Sequence, residues 1–117
     1  MPEIVTLDII LDWIEKQVQE RQVIDGHMYM EIAFKINALL QGEQEKLFIL
    51  EKEVAEMTKM LLEDPSMPAN RAKLTIQATK EYLGVRVQQS KINRALEIIR
   101  LCKLNARLSQ EVFKAQM

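Results

Sequence analysis

The sequence is poor in the residues that interrupt helices and in those that most often carry catalysis. Its 117 residues include three Gly, three Pro, one Cys and one His, and aromatic residues make up 5%. A single cysteine, Cys102, cannot form an internal disulfide, which fits a reducing compartment. Glu3 and Asp8, with no basic region ahead of the apolar stretch, argue against a secretory signal. No charge-free apolar run approaches the roughly 18–20 residues of a membrane span. We therefore expect a soluble cytoplasmic protein.

The scarcity of chemical residues also argues against a metal site, a cofactor or an active site. His27 and Glu31 lie one helical turn apart, but a structural zinc site normally takes four ligands, and no second His or Cys is nearby. The helical di-iron pattern of Glu and His is absent, as is any glycine-rich phosphate loop. Cys102 falls on an apolar seam, where a small core residue is expected rather than a nucleophile. We expect a non-enzymatic protein with no metal and no cofactor.

Helix-forming residues dominate what remains, with 48% apolar and 28% charged residues. This composition and length predict a single all-α domain over residues 1–117. The expected elements are a helix over about 6–24, a helix over about 27–63, a loop over 64–70 and a helix over about 71–115. Asp25-Gly26 is expected to end the first helix, since glycine is common at helix C-termini. Two prolines mark the loop, and Ser66 or Asn70 is expected to cap the helix after it.

The second helix carries the clearest heptad pattern, and it has one polar interruption. Apolar residues alternate by four and three along it, as the inward-facing positions of a coiled coil do. Glu43 breaks this seam directly after Gly42, which makes Gly42 a candidate kink. In the last helix the main apolar seam turns polar at Gln88 and Ser109, and Gly84 is a second candidate kink.

A second apolar stripe on the last helix predicts self-association. Its members are Leu101, Leu104, Leu108 and Val112. The first helix has at most roughly 20 residues, about 30 Å, and cannot cover a helix of about 45 residues. The sequence therefore predicts a short N-terminal helix packed on a long antiparallel helical hairpin, assembled into an oligomeric helical bundle.

The two halves of the chain differ sharply in charge. Residues 1–64 hold six Lys and Arg against fourteen Asp and Glu, whereas residues 65–117 hold ten against three. Basic side chains recur along the last helix: Arg86, Arg94, Arg100, Lys103, Arg107 and Lys114. They could bind a phosphate backbone through charge neutralisation. Alternatively, they pair with acidic residues of the second helix, namely Glu45, Glu53, Glu56 and Glu63. The basic face lacks the interleaved aromatic residues of a single-strand binder.

A loose pattern around the start of the basic helix resembles a known family. Thr79-Lys80-Glu81-Tyr82, followed by Lys91, Arg94, Ile98 and Ile99, is similar to UvsY, the recombination mediators of large tailed phages. The likeness covers about a third of the chain. It implies a small helical protein that oligomerises, binds single-stranded DNA and helps to load a recombinase. The chain also resembles small accessory proteins of phage genomes in its general style.

Two functions follow as hypotheses. The first is a non-enzymatic assembly or adaptor protein that acts through self-association, as a homo-oligomer, and through contacts with an unknown protein partner. The second is a nucleic-acid-binding accessory protein that uses the basic face of the last helix.

Overall fold

The computed structural model describes residues 6–20 and 24–116, without the side chains of Phe113 and Gln116. Its four helices are α1 (Leu7–Gln19), α2 (Gly26–Leu62), α3 (Ala69–Gln77) and α4 (Lys80–Gln116). The described residues contain no strand. The all-α prediction is confirmed, with a short first helix and two long ones.

Helix α1 begins where its capping residue predicts. The Thr6 hydroxyl accepts a hydrogen bond from the Ile9 amide at 3.2 Å, and Asp8 lies in the first turn, where the helix dipole favours an acid. The helix buries Leu7, Ile10, Leu11 and Ile14. It ends at Gln19 rather than near residue 24, and residues 21–23 of the expected helix lie outside the described part of the chain.

The prediction that Asp25-Gly26 ends the first helix is wrong, because this dipeptide begins α2. The Asp25 carboxylate accepts a hydrogen bond from the Met28 amide at 2.8 Å, which is the geometry of an N-cap. Gly26 is the first residue of α2 and packs closely on α4. A Cβ atom at Gly26 would lie 3.1 Å from the Cβ of Ser109. Close approach of two helices, rather than a left-handed backbone, explains this glycine.

The contacts group the chain into two compact units. Unit 1 comprises Met1–Gln41 together with Asn93–Met117, and unit 2 comprises Gly42–Ile92. Helices α2 and α4 each contribute to both units, α1 belongs to unit 1, and α3 belongs to unit 2. Of the buried apolar residues in the described chain, thirteen lie in unit 1 and three, Ala72, Ile76 and Ile92, in unit 2.

Helices α2 and α4 pair antiparallel within each unit, which confirms the predicted hairpin. In unit 1 the start of α2 at Gly26 lies against Ala106 and Ser109. In unit 2 a Cβ atom at Gly84 would lie 4.0 Å from the Leu50 side chain. The helix assignment continues through both Gly42 and Gly84, so neither candidate kink interrupts its helix.

The single helix expected over about 71–115 is two helices, which is a further correction. The break falls at Ala78 and Thr79. The Thr79 hydroxyl donates to the Ile76 carbonyl at 2.6 Å and accepts from the Tyr82 amide at 3.2 Å. One side chain therefore closes α3 and caps α4.

The turn between α2 and α3 spans residues 63–68, close to the expected loop. Neither Ser66 nor Asn70 caps α3: Pro68 is its N-cap residue and offers no side-chain hydrogen bond. Ser66 instead donates through its amide and its hydroxyl to the Asp64 carboxylate, at 2.9 and 2.7 Å. The Ser66 hydroxyl and amide bonds hold the pKa of Asp64 below its ordinary value.

Candidate interaction surfaces of the fourth helix

The four residues predicted for self-association form one exposed apolar line on α4 in unit 1. Leu101, Leu104, Leu108 and Val112, which we call the leucine stripe, are between 40% and 58% exposed. Their spacings of three, four and four place them on a common face. The buried face of the same segment consists of small or β-branched residues such as Ala95, Ile99 and Cys102. The second stripe predicted from the sequence is therefore only partly covered in the described structure.

Two adjoining depressions extend the leucine stripe across unit 1. The first, of about 440 Å³, is lined mainly by apolar side chains of α1 and α4, among them Ile14, Val18 and Leu101. The second, of about 390 Å³, includes Leu108 and Val112. Tyr29 and Asn105 line both depressions, which therefore adjoin each other. The leucine stripe thus borders an apolar groove of the kind that accepts a helix or an apolar ligand.

Arg94, predicted as part of the nucleic-acid site, instead contacts α1. Its guanidinium forms an ion pair with Glu15 and lies 3.8 Å from the Asp12 carboxylate. All three residues belong to unit 1. Arg94 is half-buried and tied to the fold, so a phosphate would have to compete with two carboxylates for it.

Arg100 is exposed but paired along its own helix. Its guanidinium donates to both carboxylate oxygens of Glu97, at 3.1 and 2.7 Å. These hydrogen bonds raise the pKa of Arg100 and lower the pKa of Glu97. An exposed pair of this type adds little stability. Arg100 therefore stays charged and accessible, but the negative charge of Glu97 partly offsets its positive charge.

The other basic residues of the predicted nucleic-acid site are exposed to solvent. Arg86 in unit 2 and Lys103, Arg107 and Lys114 in unit 1 are exposed, and none pairs with an acid in the described chain. Arg100, Arg107 and Lys114 recur every seven residues next to the leucine stripe, and we call them the basic edge. The acids suggested as their internal partners, Glu45, Glu53, Glu56 and Glu63, likewise form no ion pair with a described residue.

An acidic residue from the first half of the sequence pairs with a basic residue from the second half in a buried polar cluster of unit 2. Glu43 is only 8% exposed. Gln88 donates its side-chain amide to the Glu43 carbonyl at 2.8 Å and to its carboxylate at 2.6 Å. The Lys91 and Lys46 amines lie 3.4 and 3.6 Å from the other carboxylate oxygen. The two polar interruptions of the heptad seams therefore face each other across the hairpin.

The electrostatics of this cluster favour the ionised form of Glu43. Burial alone would raise the pKa of Glu43, but the Gln88 hydrogen bond and the charge of Lys91 outweigh it and hold that pKa below the ordinary 4.5. Sequence reasoning noted both seam interruptions without joining them. Opposed heptad positions on antiparallel helices were the signal that could have linked Glu43 to Gln88.

His27, Glu31 and Cys102 were the other residues considered for metal binding or catalysis. His27 is exposed near the start of α2, and Glu31 pairs with Lys35 at 3.9 Å. In residues 6–20 and 24–116 no group of three His, Cys, Asp or Glu side chains could hold a metal ion. Cys102 is buried as expected, and burial raises the pKa of its thiol to about 11, so the reactive thiolate is scarce at neutral pH.

The fold and these surfaces define an all-α hairpin protein with one exposed apolar and basic helix. Comparison with protein-family models, curated proteins and solved structures found no match. The resemblance to recombination mediators therefore stays a prediction. No helix in the described part of the chain is long and apolar enough to cross a bilayer.

Proposed function

We propose that the protein is a non-enzymatic helical assembly or adaptor protein that acts in the cytoplasm through self-association and protein contacts. The exposed leucine stripe is the observation that carries this proposal. Monomeric proteins rarely expose contiguous apolar patches larger than roughly a few hundred Å², and larger patches commonly mark an interaction site. The stripe has the three- and four-residue spacing with which one helix packs against another.

The apolar groove strengthens the proposal because it gives a docking helix more than one wall. Side chains of α1, α2 and α4 line it, including Val18, Tyr29 and Leu108. A fully buried Leu side chain contributes roughly 1.5–3 kcal/mol relative to its exposed state. Four partly exposed apolar side chains on one face therefore provide a substantial driving force for association, before the entropic cost of binding.

The test replaces the centre of the stripe. Leu104→Glu with Leu108→Glu puts two charges on that face, and we expect the chain to become monomeric in sedimentation velocity at micromolar concentration. Leu83→Glu with Val87→Glu is the matched control: these residues have the same spacing on α4, are each 60% exposed and lie in unit 2. The control should assemble like wild type, and circular dichroism should show helix in both. A wild-type chain that is monomeric throughout this range would contradict the proposal.

A second candidate function is nucleic-acid binding, which the open basic residues favour. Lys103 and Arg107 are exposed without an acidic partner in the described chain, and Arg100 is accessible. The resemblance to phage recombination mediators supports the same function. Binding through such residues would follow the phosphate backbone, with little dependence on sequence and a steep dependence on salt.

Fluorescence anisotropy with a labelled single-stranded DNA tests this candidate. Arg100→Glu with Arg107→Glu should abolish binding at low salt and leave the helix content unchanged. Arg71→Glu with Lys73→Glu removes two exposed cations of α3 instead and should retain most of the binding. Absence of binding by the wild-type chain at low salt would rule out the function.

A further inference from the structure

Unit 2 carries an exposed acidic face on α2 that opposes the basic edge of α4 in charge. Its members are Glu45, Ile49, Glu53, Glu56, Met60 and Glu63, which we call the acidic face. At 100° per residue they fall within about 80° of helix surface. Ile49 and Met60 are 57% and 71% exposed, and the four carboxylates have no ion pair in the described chain.

No lysine lies within that sector. Lys46 is directed to Glu43, and Lys52 and Lys59 fall on the side of α2 beyond Glu45 and Glu63 by the same helical spacing. The acidic face therefore combines two apolar side chains with a net negative charge.

The basic edge makes a symmetric pairing of two leucine stripes unfavourable. Arg100 and Arg107 each directly precede a leucine of the stripe, the position that flanks a coiled-coil seam. If two stripes pair antiparallel, the basic edges of the two copies face each other. If they pair parallel, each basic edge faces Asn105 and Val112 of the second copy, where no acid is present. In neither arrangement does the basic edge face a row of acids on the second copy, although Glu97 pairs with Arg100 within its own copy and Glu111 lies one turn from Arg107 and Lys114.

We propose that the leucine stripe and basic edge of one copy dock on the acidic face of a second copy. This assignment rests on the proposed self-association and specifies its two surfaces. Apolar side chains of both faces meet at the centre, and Arg100, Arg107 and Lys114 meet carboxylates at one margin of the acidic face. Complementary charge of this kind selects the partner and the register. Because the two surfaces differ, they can pair reciprocally in a two-fold dimer or head-to-tail in a ring or filament.

Charge reversal on each surface provides the test. The edge variant carries Arg107→Glu with Lys114→Glu, and the face variant carries Glu53→Lys with Glu56→Lys. Like charges then meet in either variant alone, so each should associate at least about tenfold more weakly than wild type in sedimentation velocity. Mixed in equal amounts, the two should assemble again, because every contact between unlike variants pairs opposite charges. Association of the wild-type chain should also weaken with added salt.

Two control variants test whether the position of the reversed charges matters, or only the change in net charge. Arg71→Glu with Lys73→Glu removes cations outside the edge, and Glu51→Lys reverses an exposed acid of α2 outside the acidic face. Both should assemble like wild type. Circular dichroism checks the helix content of every variant, and each sample is measured with and without nuclease treatment.

Four outcomes would overturn the assignment. In the first, a face variant assembles like wild type while the edge variant does not, so the stripe meets some other surface. In the second, the mixture stays dissociated. In the third, nuclease treatment dissociates the wild type, so that nucleic acid bridges the copies. If the leucine variants dissociate while both charge variants assemble normally, self-association stands and this pairing is wrong. A monomeric wild type contradicts the proposed function itself.

Discussion

Glu43 interrupts the apolar heptad pattern of α2 in the sequence, and in the structure its carboxylate links α2 to α4. A buried carboxylate is costly unless its oxygens are paired, and here Gln88, Lys91 and Lys46 surround it. Replacing a well-paired buried polar group by matching apolar residues is often neutral, whereas removing one partner leaves the others unsatisfied. The polar cluster therefore fixes how α2 and α4 align in unit 2 more than it adds net stability.

Glu43→Ala should destabilise the protein by about 1–3 kcal/mol at pH 7, because it leaves Gln88 and Lys91 without their carboxylate. The pKa of Glu43 is lowered in the folded state, so its contribution is complete above pH 4.5 and is lost as the pH falls through the folded-state pKa. The difference in free energy of unfolding between wild type and variant should thus narrow in acid. Urea denaturation at several pH values measures it.

The control for this prediction is Glu51→Ala, an exposed acid on the same helix. Its effect should stay within about 0.5 kcal/mol. A Glu43→Ala penalty that stays unchanged at every acidic pH at which the protein is still folded would show that lost packing, and not the ionised carboxylate, accounts for it.

At the scale of helices, heptad spacing was enough to predict α2, α4 and their antiparallel pairing, because apolar periodicity directly reflects burial. The boundaries depended on single side chains that the pattern does not reveal. Asp25-Gly26 suits a helix end and a helix start equally, and the Asp25 hydrogen bond to Met28 decides for the start. Thr79 divides the last helix without a proline or glycine, while Gly84 stays helical.

Some features of the candidate interaction surfaces could likewise be predicted from apolar spacing, and others could not. The leucine stripe could be predicted, since residues left over after one face is buried must lie on another. The engagement of Arg94 by α1 and of Glu43 by Gln88 depends on the rotation and register of packed helices. Those quantities are set by side-chain packing over the whole interface, so spacing along one helix does not determine them.

Gly42→Ala should stabilise the protein by about 0.5–1 kcal/mol, because alanine loses less backbone entropy in a helix. A Cβ atom at this exposed position has no neighbour within 4 Å. Gly26→Ala is the matched comparison, and there the new Cβ would press on Ser109. We expect it to be less stable than Gly42→Ala in thermal and urea unfolding. Equal stabilisation by both substitutions would show that the first turn of α2 can move away from Ser109 at no cost in free energy.

At the scale of the whole molecule, the distribution of buried side chains separates the two units. The largest fully buried side chains in the described chain, including Leu7, Leu11, Ile32 and Ile36, belong to unit 1. Unit 2 buries Ala72, Ile76 and Ile92 together with the polar Glu43. Local opening costs less where fewer apolar side chains are buried, so a continuous helix can differ in stability along its length. A second copy on the acidic face would add burial to the unit that has least.

Hydrogen exchange measured by mass spectrometry should detect this difference within α2. In the Leu104→Glu and Leu108→Glu variant, which we expect to be monomeric, amides of residues 32–40 should exchange at least about tenfold more slowly than those of residues 47–54. In the wild type, raising the concentration should slow exchange in 47–54 more than in 32–40, because the proposed contact covers the acidic face. Uniform protection along α2 in the variant would mean that both units open together, and unchanged exchange in 47–54 on assembly would place the contact elsewhere.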